Sequence, residues 1–335
     1  MSIYLASISD RQEIMSFINS EFKEGHILSR DILFFNYEHE NIDQINFVIS
    51  RDINKKINGI LGFIRSALLD YSDVWTVIWK VAKNSEDPIL GIQLLQYLKK
   101  IKDVRTVLSV GINKKTIGIY KYMGMYIDSL NHFVILNKNI EVFKIAKIKS
   151  AQNSMSDAVD SNKNYKIKLI SKETELVDFN FDNYKHCIPF KNKEYFVKRY
   201  YKHPIYKYQI YGSYLNDMLV SLMVTRVQSY NKSEVLRIVD FIGLEKSIQS
   251  FTYYFSQLII EQNYEYVDFY CFGLNNEVLI KSGFQQVNDS KDDIIIPNYF
   301  NPFVRENVPI HFFADTDKPE LLKLFKADGD QDRPS

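Results

Sequence analysis

The sequence predicts an α/β chain of two tandem domains, each a mixed, mostly antiparallel sheet flanked by helices. Three observations lead there. Segments with a two-residue apolar alternation trade places with segments of helical period. A stretch poor in aromatics and rich in Lys, Ser, Asn and Asp interrupts this pattern at residues 138–164. Beyond it the same order of elements begins again, as in a tandem repeat of one domain rather than a solenoid. The expected division is a domain over 1–140, a linker over 141–164 and a second domain over 165–335.

The elements follow in order. Ile3 to Ser7 reads as a strand, and Asp10 can cap a helix from Arg11 to Phe22, where Ile14, Phe17, Ile18 and Phe22 recur at helical spacing. Gly25 breaks that pattern, and a second partly apolar segment runs from His26 to Phe35. Asn46–Ser50 and Gly59–Arg65 are two antiparallel strands joined by a polar turn around Asn54. Next come a strand from Val74 to Ala82, a turn to Pro88 and a helix from Ile89 to Ile101. A strand from Arg105 to Gly111 and a helix from Lys115 to Met123 complete this unit, and one long strand, Tyr126 to Leu136, follows. In the second half, strands are expected at 165–170, 208–215, 219–228, 236–242 and 266–272, with helices at 191–201, 247–261 and 276–282. A last strand begins at Asp293–Pro297, and the tail Ala327–Pro334 has the polar, acidic composition of a disordered end.

Composition narrows the function. The chain has 335 residues, 46% apolar and 25% charged, the balance of a folded soluble protein. A net charge of +1 gives no broad field toward nucleic acid or an anionic membrane. Cys187 and Cys271 provide no disulfide framework, and no Cys/His spacing suggests zinc, so a reducing, cytoplasmic setting and no metal are expected. No leader or membrane span is expected either: the N-terminus lacks a charged flank, and the longest apolar run, Met218–Val224, is short.

Two segments carry chemistry. In Pro88–Leu95 a strand leads through a loop into a helix N-terminus, whose unpaired N–H groups attract an anion. Gly91 lets a pyrophosphate approach the backbone, flanked by Ile89, Leu90, Ile92 and Gln93. In the second segment Asn113 ends a strand, Tyr120 lies on the next helix, and Gly124 caps that helix four residues later. Trp75 and Trp79, four apart in one strand, should share a face.

Together these segments resemble the coenzyme A half of the GCN5-related N-acetyltransferase (GNAT) superfamily. Gly91 matches the last glycine of its Gln/Arg-x-x-Gly-x-Gly/Ala loop, while Ile89 replaces the first and Glu86 stands where a cation or amide is usual. Asn113…Tyr120-x-x-x-Gly124-Met125 resembles its Asn…Tyr-x-x-x-Gly-Phe helix. The resemblance implies acyl-coenzyme A as donor, with its pantetheine arm paired to the backbone of Val81, Ala82 and Lys83 on a splayed strand. It implies an oxyanion-binding N–H near Trp79–Val81 and Tyr120 as the acid that protonates the departing thiolate. In the second half Leu279 stands four before Gly283, and Leu244–Gln249 has no glycine where the loop should be, so that half reads as degenerate and acceptor-binding.

The whole layout resembles tandem sugar N-acyltransferases of bacterial surface-polysaccharide (lipopolysaccharide O-antigen or capsule) synthesis, which act on nucleotide-linked amino sugars such as dTDP-3-amino-3,6-dideoxyhexoses. Gly25–Asp31, Arg199-Tyr200-x-x-His203-Pro204 and the Asp328–Pro334 terminus carry that likeness. It points to His26, Arg30, Trp79, Arg199, Tyr200, His203 and Asp240 as acceptor-binding residues. His26, Glu24 and Asp240, in that order, are candidates for the base. An aminoacyl transferase of the peptidoglycan cross-bridge type and a non-catalytic ligand-binding module stay open as alternatives.

Overall fold

The computed structural model describes residues 2–67, 71–149, 164–288 and 294–334. The first lobe opens with β1 (Ser2–Ser7), α1 (Arg11–Phe17), α2 (Ile27–Arg30) and α3 (Ile32–His39). Asp31 begins α3 by accepting the Phe34 N–H at 2.9 Å. A meander of β2 (Gln44–Arg51), β3 (Ile57–Arg65) and β4 (Ser72–Val81) precedes α4 (Leu90–Lys99), β5 (Val104–Val110), α5 (Ile117–Tyr122) and β6 (Tyr126–Ser129). The expected helix to Phe22 is α-helical only to Phe17, and Ile18–Phe22 is a π-helical turn.

The expected long strand at 126–136 is two strands in different sheets. After β6 the chain crosses at Leu130 and enters the second lobe as β7 (Asn131–Leu136). That lobe then builds β8 (Tyr165–Ile170), α6 (Lys193–Phe196), β9 (Gln209–Leu215), β10 (Met218–Tyr230), β11 (Ser233–Gly243), α7 (Ile248–Glu261), β12 (Tyr266–Phe272), α8 (Asn276–Lys281) and β13 (Gln285–Gln286). Beyond the expected last strand the short strands Tyr299–Phe300 and Phe303–Val304 pair with each other, and β14 (His311–Ala314) and β15 (Leu324–Phe325) follow.

Each lobe holds an eight-stranded sheet, and the two sheets exchange a strand. The first runs β1-β2-β3-β4-β5-β14-β6 with the short strand Glu40–Asn41 against β2, and the second β8-β9-β10-β11-β12-β7-β13 with β15 against β12. Thus β14 fills the first sheet between β5 and β6, and β7 fills the second between β12 and β13. The two crossings touch, because Leu130 N–H donates to Ile310 O at 2.9 Å. The sheets therefore do not part at residue 140, as the sequence suggested. Of the expected linker, Lys147–Ile148 pairs with Ile294–Ile295; residues 150–163 and Asp293 lie outside the described residues.

The repeat is legible in the order of strands. In both sheets a parallel pair forms the centre, β4 with β5 and β11 with β12, and each pair separates along its length. β4 and β5 pair from Ser72 to Trp75 only, and β11 and β12 from Leu236 to Ile238 only. One apolar core spans the lobes: Trp75, Leu108 and Val110 of the first pack with Tyr195, Phe196 and Tyr200 of the second. Burial of this kind stabilises by roughly 25 cal/mol per Å² of apolar surface removed from water.

The tail is the largest departure from expectation. Residues 324–329 are buried, and the segment runs between the lobes instead of fraying. β15 pairs with Cys271 and Phe272 on the edge that β12 exposes where it leaves β11. Ala327 N–H then reaches Val239 O on β11 at 2.8 Å, so this chain closes the second lobe's gap. Asp328 meets Lys191 at 2.6 Å, and Lys191 meets Asp240 at 2.7 Å. Tyr200 donates its hydroxyl to Asp240. Asp332 pairs with Arg226, and Arg333 with Glu38 at 2.8 Å.

Lys191 is thus one buried cation between two buried carboxylates, and removing it leaves both uncompensated. Lys191→Met should lower unfolding stability by about 3–5 kcal/mol. Urea titration followed by fluorescence checks this; loss within about 0.5 kcal/mol would show that the cluster does not hold the tail.

Candidate functional site

The separation of β4 from β5 opens a cleft of about 520 Å³ in the first lobe. One wall is β4 from Thr76 to Val81, and the other is β5 from Ser109 with the turn to Asn113. Ile119 and Tyr120 of α5, with Thr116 just before it, close the cleft. At the base the walls are tied where Ser109 Oγ donates to Thr76 O at 3.2 Å.

The cleft edge of β4 can receive an extended ligand. Ala82 donates its N–H to Asn58 O at 2.9 Å, toward β3. By antiparallel alternation Val81 and Trp79 turn theirs to the opposite edge, which faces the gap. The amides turned to the gap are thus those of Val81 and Trp79, and not those of Ala82 or Lys83, the expected pairing residues, since Lys83 N–H goes to the Glu21 carboxylate at 3.2 Å.

A bulge sets which side chain reaches the cleft. Between Leu61–Phe63 on β3 and Thr76–Trp79 on β4, β4 carries one extra residue. Trp75 and Trp79 therefore face opposite sides, contrary to the four-residue spacing. Trp75 packs in the inter-lobe core against Tyr195, with ring centroids 5.6 Å apart. Trp79 lies against Tyr120, with centroids 6.0 Å apart, in the cleft wall.

At the start of α4, Asp87 Oδ1 accepts the Ile89 N–H at 2.9 Å. The N–H groups of Gly91 and Ile92 have no protein acceptor among the described residues. These two are the orphan donors a diphosphate would use. A Cβ on Gly91 would stand 3.3 Å from Trp79 Nε1, so a bare glycine also lets the indole pack beneath the helix. Leu90 points into the core, Ile89 is exposed, and Gln93 is half-buried. Asn113 spends its side chain as a cap, accepting Lys115 N–H at 2.9 Å.

Tyr120 is 5% exposed, and burial pushes its phenol up from the ordinary value, with Thr116 beside it pulling back. It stays protonated at neutral pH and can act as an acid. Gly124 holds φ +76° after α5, where Met125 N–H returns to Tyr120 O at 3.1 Å.

The acceptor candidates are scattered. His26 caps α2, its Nδ1 accepting the Leu28 N–H at 3.2 Å. In the neutral ring the proton then sits on Nε2, a donor rather than a base. Burial, with Arg333 and Lys23 adding repulsion, brings its pKa down to about 4. His26 approaches the cleft only through Phe22, ring centroids 5.5 Å apart, and Glu24 and Arg30 are exposed.

Arg199, Tyr200, His203 and Asp240 do not open onto the cleft; each is less than 9% exposed. Arg199 donates to Ala327 O at 3.2 Å and to Asp332 O at 3.3 Å, so it seats the tail. Asp240 is locked by Lys191 and Tyr200, which removes it as a free base. His203 stacks on Tyr206, and burial lowers its pKa to about 3. Arg199, expected among the acceptor-binding residues, thus holds the chain's own terminus.

The residues missed by sequence are those the tail brings. Asp330 and Gln331 line the same cleft as Tyr120. Gly111, at φ +89°, has no Cβ where the Gln331 amide lies. The specific look of Asp328–Pro334 was the available signal, but nothing in it gave a location.

The second lobe's counterpart of the cleft is occupied by β15, and what remains beside Cys187, Lys323 and Glu245 is a cavity of about 280 Å³.

Among solved structures, the chain superposes on a GCN5-related N-acetyltransferase from Anabaena variabilis ATCC 29413 with TM-score 0.56 and 10% identity, over 93% of this chain and 72% of that one. The fold is that of the GCN5-related N-acetyltransferases. A probable N-acyltransferase from Enterococcus faecalis V583 matches with TM-score 0.54 and 9% identity, over 94% of this chain and 72% of that one. A GCN5-related glucosamine N-acetyltransferase region of a fungal multi-domain GH3 beta-N-acetylglucosaminidase matches with TM-score 0.50 and 9% identity, over 93% and 38%. No protein-family model and no curated protein matches the sequence. In this GNAT fold the open cleft lies between β4 and β5 of the first lobe.

Gly111→Ala should cost about 1–3 kcal/mol, since it forces a side chain into a left-handed backbone and onto Gln331. Adding Gln331→Ala should return the steric share and leave the backbone share. Thermal denaturation of both variants checks this, and equal losses would dismiss the contact.

Proposed function

We propose that the chain is an acyl-coenzyme A-dependent N-acyltransferase whose first lobe holds the donor. The observation that carries this reading is the open β4–β5 cleft with Tyr120 in its wall and turned-out amides on Val81 and Trp79. The residues fit the donor at three places. Gly91 and Ile92 offer N–H groups to the diphosphate, although Glu86 and Asp87 place acids nearby. The β4 edge offers backbone pairing to the pantetheine arm. Trp79 N–H or Val81 N–H faces the thioester carbonyl oxygen and stabilises the charge that grows there.

In this reading a primary amine attacks the thioester carbon directly. A carbon–nitrogen bond forms, the carbon–sulfur bond breaks, and Tyr120 gives its proton to the sulfur. Holding both reactants in one cleft supplies much of the rate.

The acceptor we propose is a nucleotide-linked amino sugar, such as a dTDP-3-amino-3,6-dideoxyhexose, on a cytoplasmic route to surface polysaccharide. Its support is the resemblance of the sequence to such enzymes, together with one structural neighbour described as a glucosamine N-acetyltransferase region. Arg199 and His203, sunk beneath the tail, no longer contribute to it.

Tyr120→Phe should lower kcat by about 10²-fold while coenzyme A affinity stays within about twofold, measured by steady-state kinetics and calorimetry. Undiminished turnover would remove the tyrosine from the chemistry. The chain's two tryptophans provide a second test. Coenzyme A should change the fluorescence of wild type and of Trp75→Phe but not of Trp79→Phe. A change that survives in Trp79→Phe would place the donor away from the first-lobe cleft.

A further inference from the structure

The described lining of the first-lobe cleft contains fifteen residues, and Asp330 is the single ionisable acid or base among them apart from the Tyr120 phenol. All the rest of the wall is apolar, hydroxyl, amide or backbone. A lone carboxylate in a cleft wall that is otherwise uncharged selects for a cation.

Among the described residues Asp330 is ion-paired with Arg333. Arg333 stands 3.2 Å away, but the same guanidinium is held at 2.8 Å by Glu38, which is nearly fully buried. Glu38 therefore satisfies most of the Arg333 charge. The Asp330 side chain keeps 26% of its surface exposed, against 3% for Glu38. Beside it, Gln331 Oε1 is buried with no hydrogen-bond partner among the described residues. A buried acceptor without a donor costs about 1–3 kcal/mol, and a ligand N–H or O–H is the group that would relieve it. The tail is held firmly enough to present both groups, since Lys326 Nζ donates to Gln331 O at 2.9 Å and Asp332 pairs with Arg226.

We infer that Asp330 and Gln331 of the tail form the acceptor-amine subsite, Asp330 receiving the ammonium group and Gln331 Oε1 accepting a second N–H or O–H of the same ligand. This rests on the reading of the cleft as the acyl-coenzyme A site. A primary amine arrives protonated at neutral pH. One proton passes from the ammonium to the Asp330 carboxylate, and the free amine attacks the thioester carbon. The second proton leaves nitrogen as the carbon–sulfur bond breaks, and it restores Tyr120 after Tyr120 has protonated the sulfur. The protonated Asp330 returns its proton to solvent, so the sum is ammonium plus thioester giving amide, thiol and one proton. Burial raises the Asp330 carboxyl above its ordinary value, with Arg333 opposing, in the direction a proton acceptor requires.

The test needs no knowledge of the natural acceptor. S-(3-aminopropyl)-coenzyme A carries an ammonium a few bonds beyond the sulfur, and S-butyl-coenzyme A is its neutral counterpart. Titration calorimetry at pH 7 on the full chain should show wild type binding the ammonium compound about tenfold tighter. Asp330→Asn should abolish that preference while leaving S-butyl-coenzyme A affinity within about twofold. Asp330→Glu, which keeps the charge but shifts it by one methylene, should show an intermediate preference; it also serves if the asparagine variant melts early. No ammonium preference in wild type, or one that survives in Asp330→Asn, overturns the subsite. Failure of both thioethers to bind wild type overturns the donor reading itself, and the subsite falls with it.

Discussion

A buried lysine between two buried aspartates is the constraint from which the arrangement follows. Lys191 sits 4% exposed, between Asp240 on β11 and Asp328 on the tail. Three elements distant in sequence must meet for this charge to be satisfied, and with one missing the others are buried charges without compensation. The neighbouring pairs repeat the device. Asp332 neutralises Arg226, and Arg333 neutralises Glu38, so that one short segment clasps α3 of the first lobe and β10 of the second.

That clasp creates the difference between two lobes of the same design. Both have a central parallel pair that parts, and both therefore begin with a cleft. In the second, β15 pairs with Cys271 and Phe272 and fills the space. In the first, the tail passes the mouth and leaves the gap open, adding Asp330 and Gln331 to its rim. A duplicated fold thus becomes one site with two contributors.

Local chemistry was well read from sequence, and long-range placement was not. Strands such as 209–215 and 266–272 and the helix 248–261 show periods that depend on neighbours in the chain. Gly124 signalled a helix end because only a backbone with φ near +76° was needed there. Trp75 and Trp79 misled because one extra residue in a strand reverses the face of everything after it, and that residue has no signature. His311–Ala314 escaped notice because a four-residue strand is too short to display a period. Arg199, Tyr200 and His203 read as ligand-binding because the interior of a clasp and the wall of an anion site use the same residue types. The terminus looked disordered by composition, since a charge buried against a partner more than a hundred residues away looks the same in sequence as a solvated one.

The strand exchange has a consequence for how the chain is made. The first sheet lacks the strand between β5 and β6 until His311–Ala314 has been synthesised. Leu108 and Val110 would meanwhile stand without the neighbours that cover them. Domains commonly fold one after another as the ribosome delivers them. Here the amino-terminal half cannot be finished in that way, and a nascent chain stalled before residue 311 would present an unpaired, apolar sheet edge to any chaperone within reach.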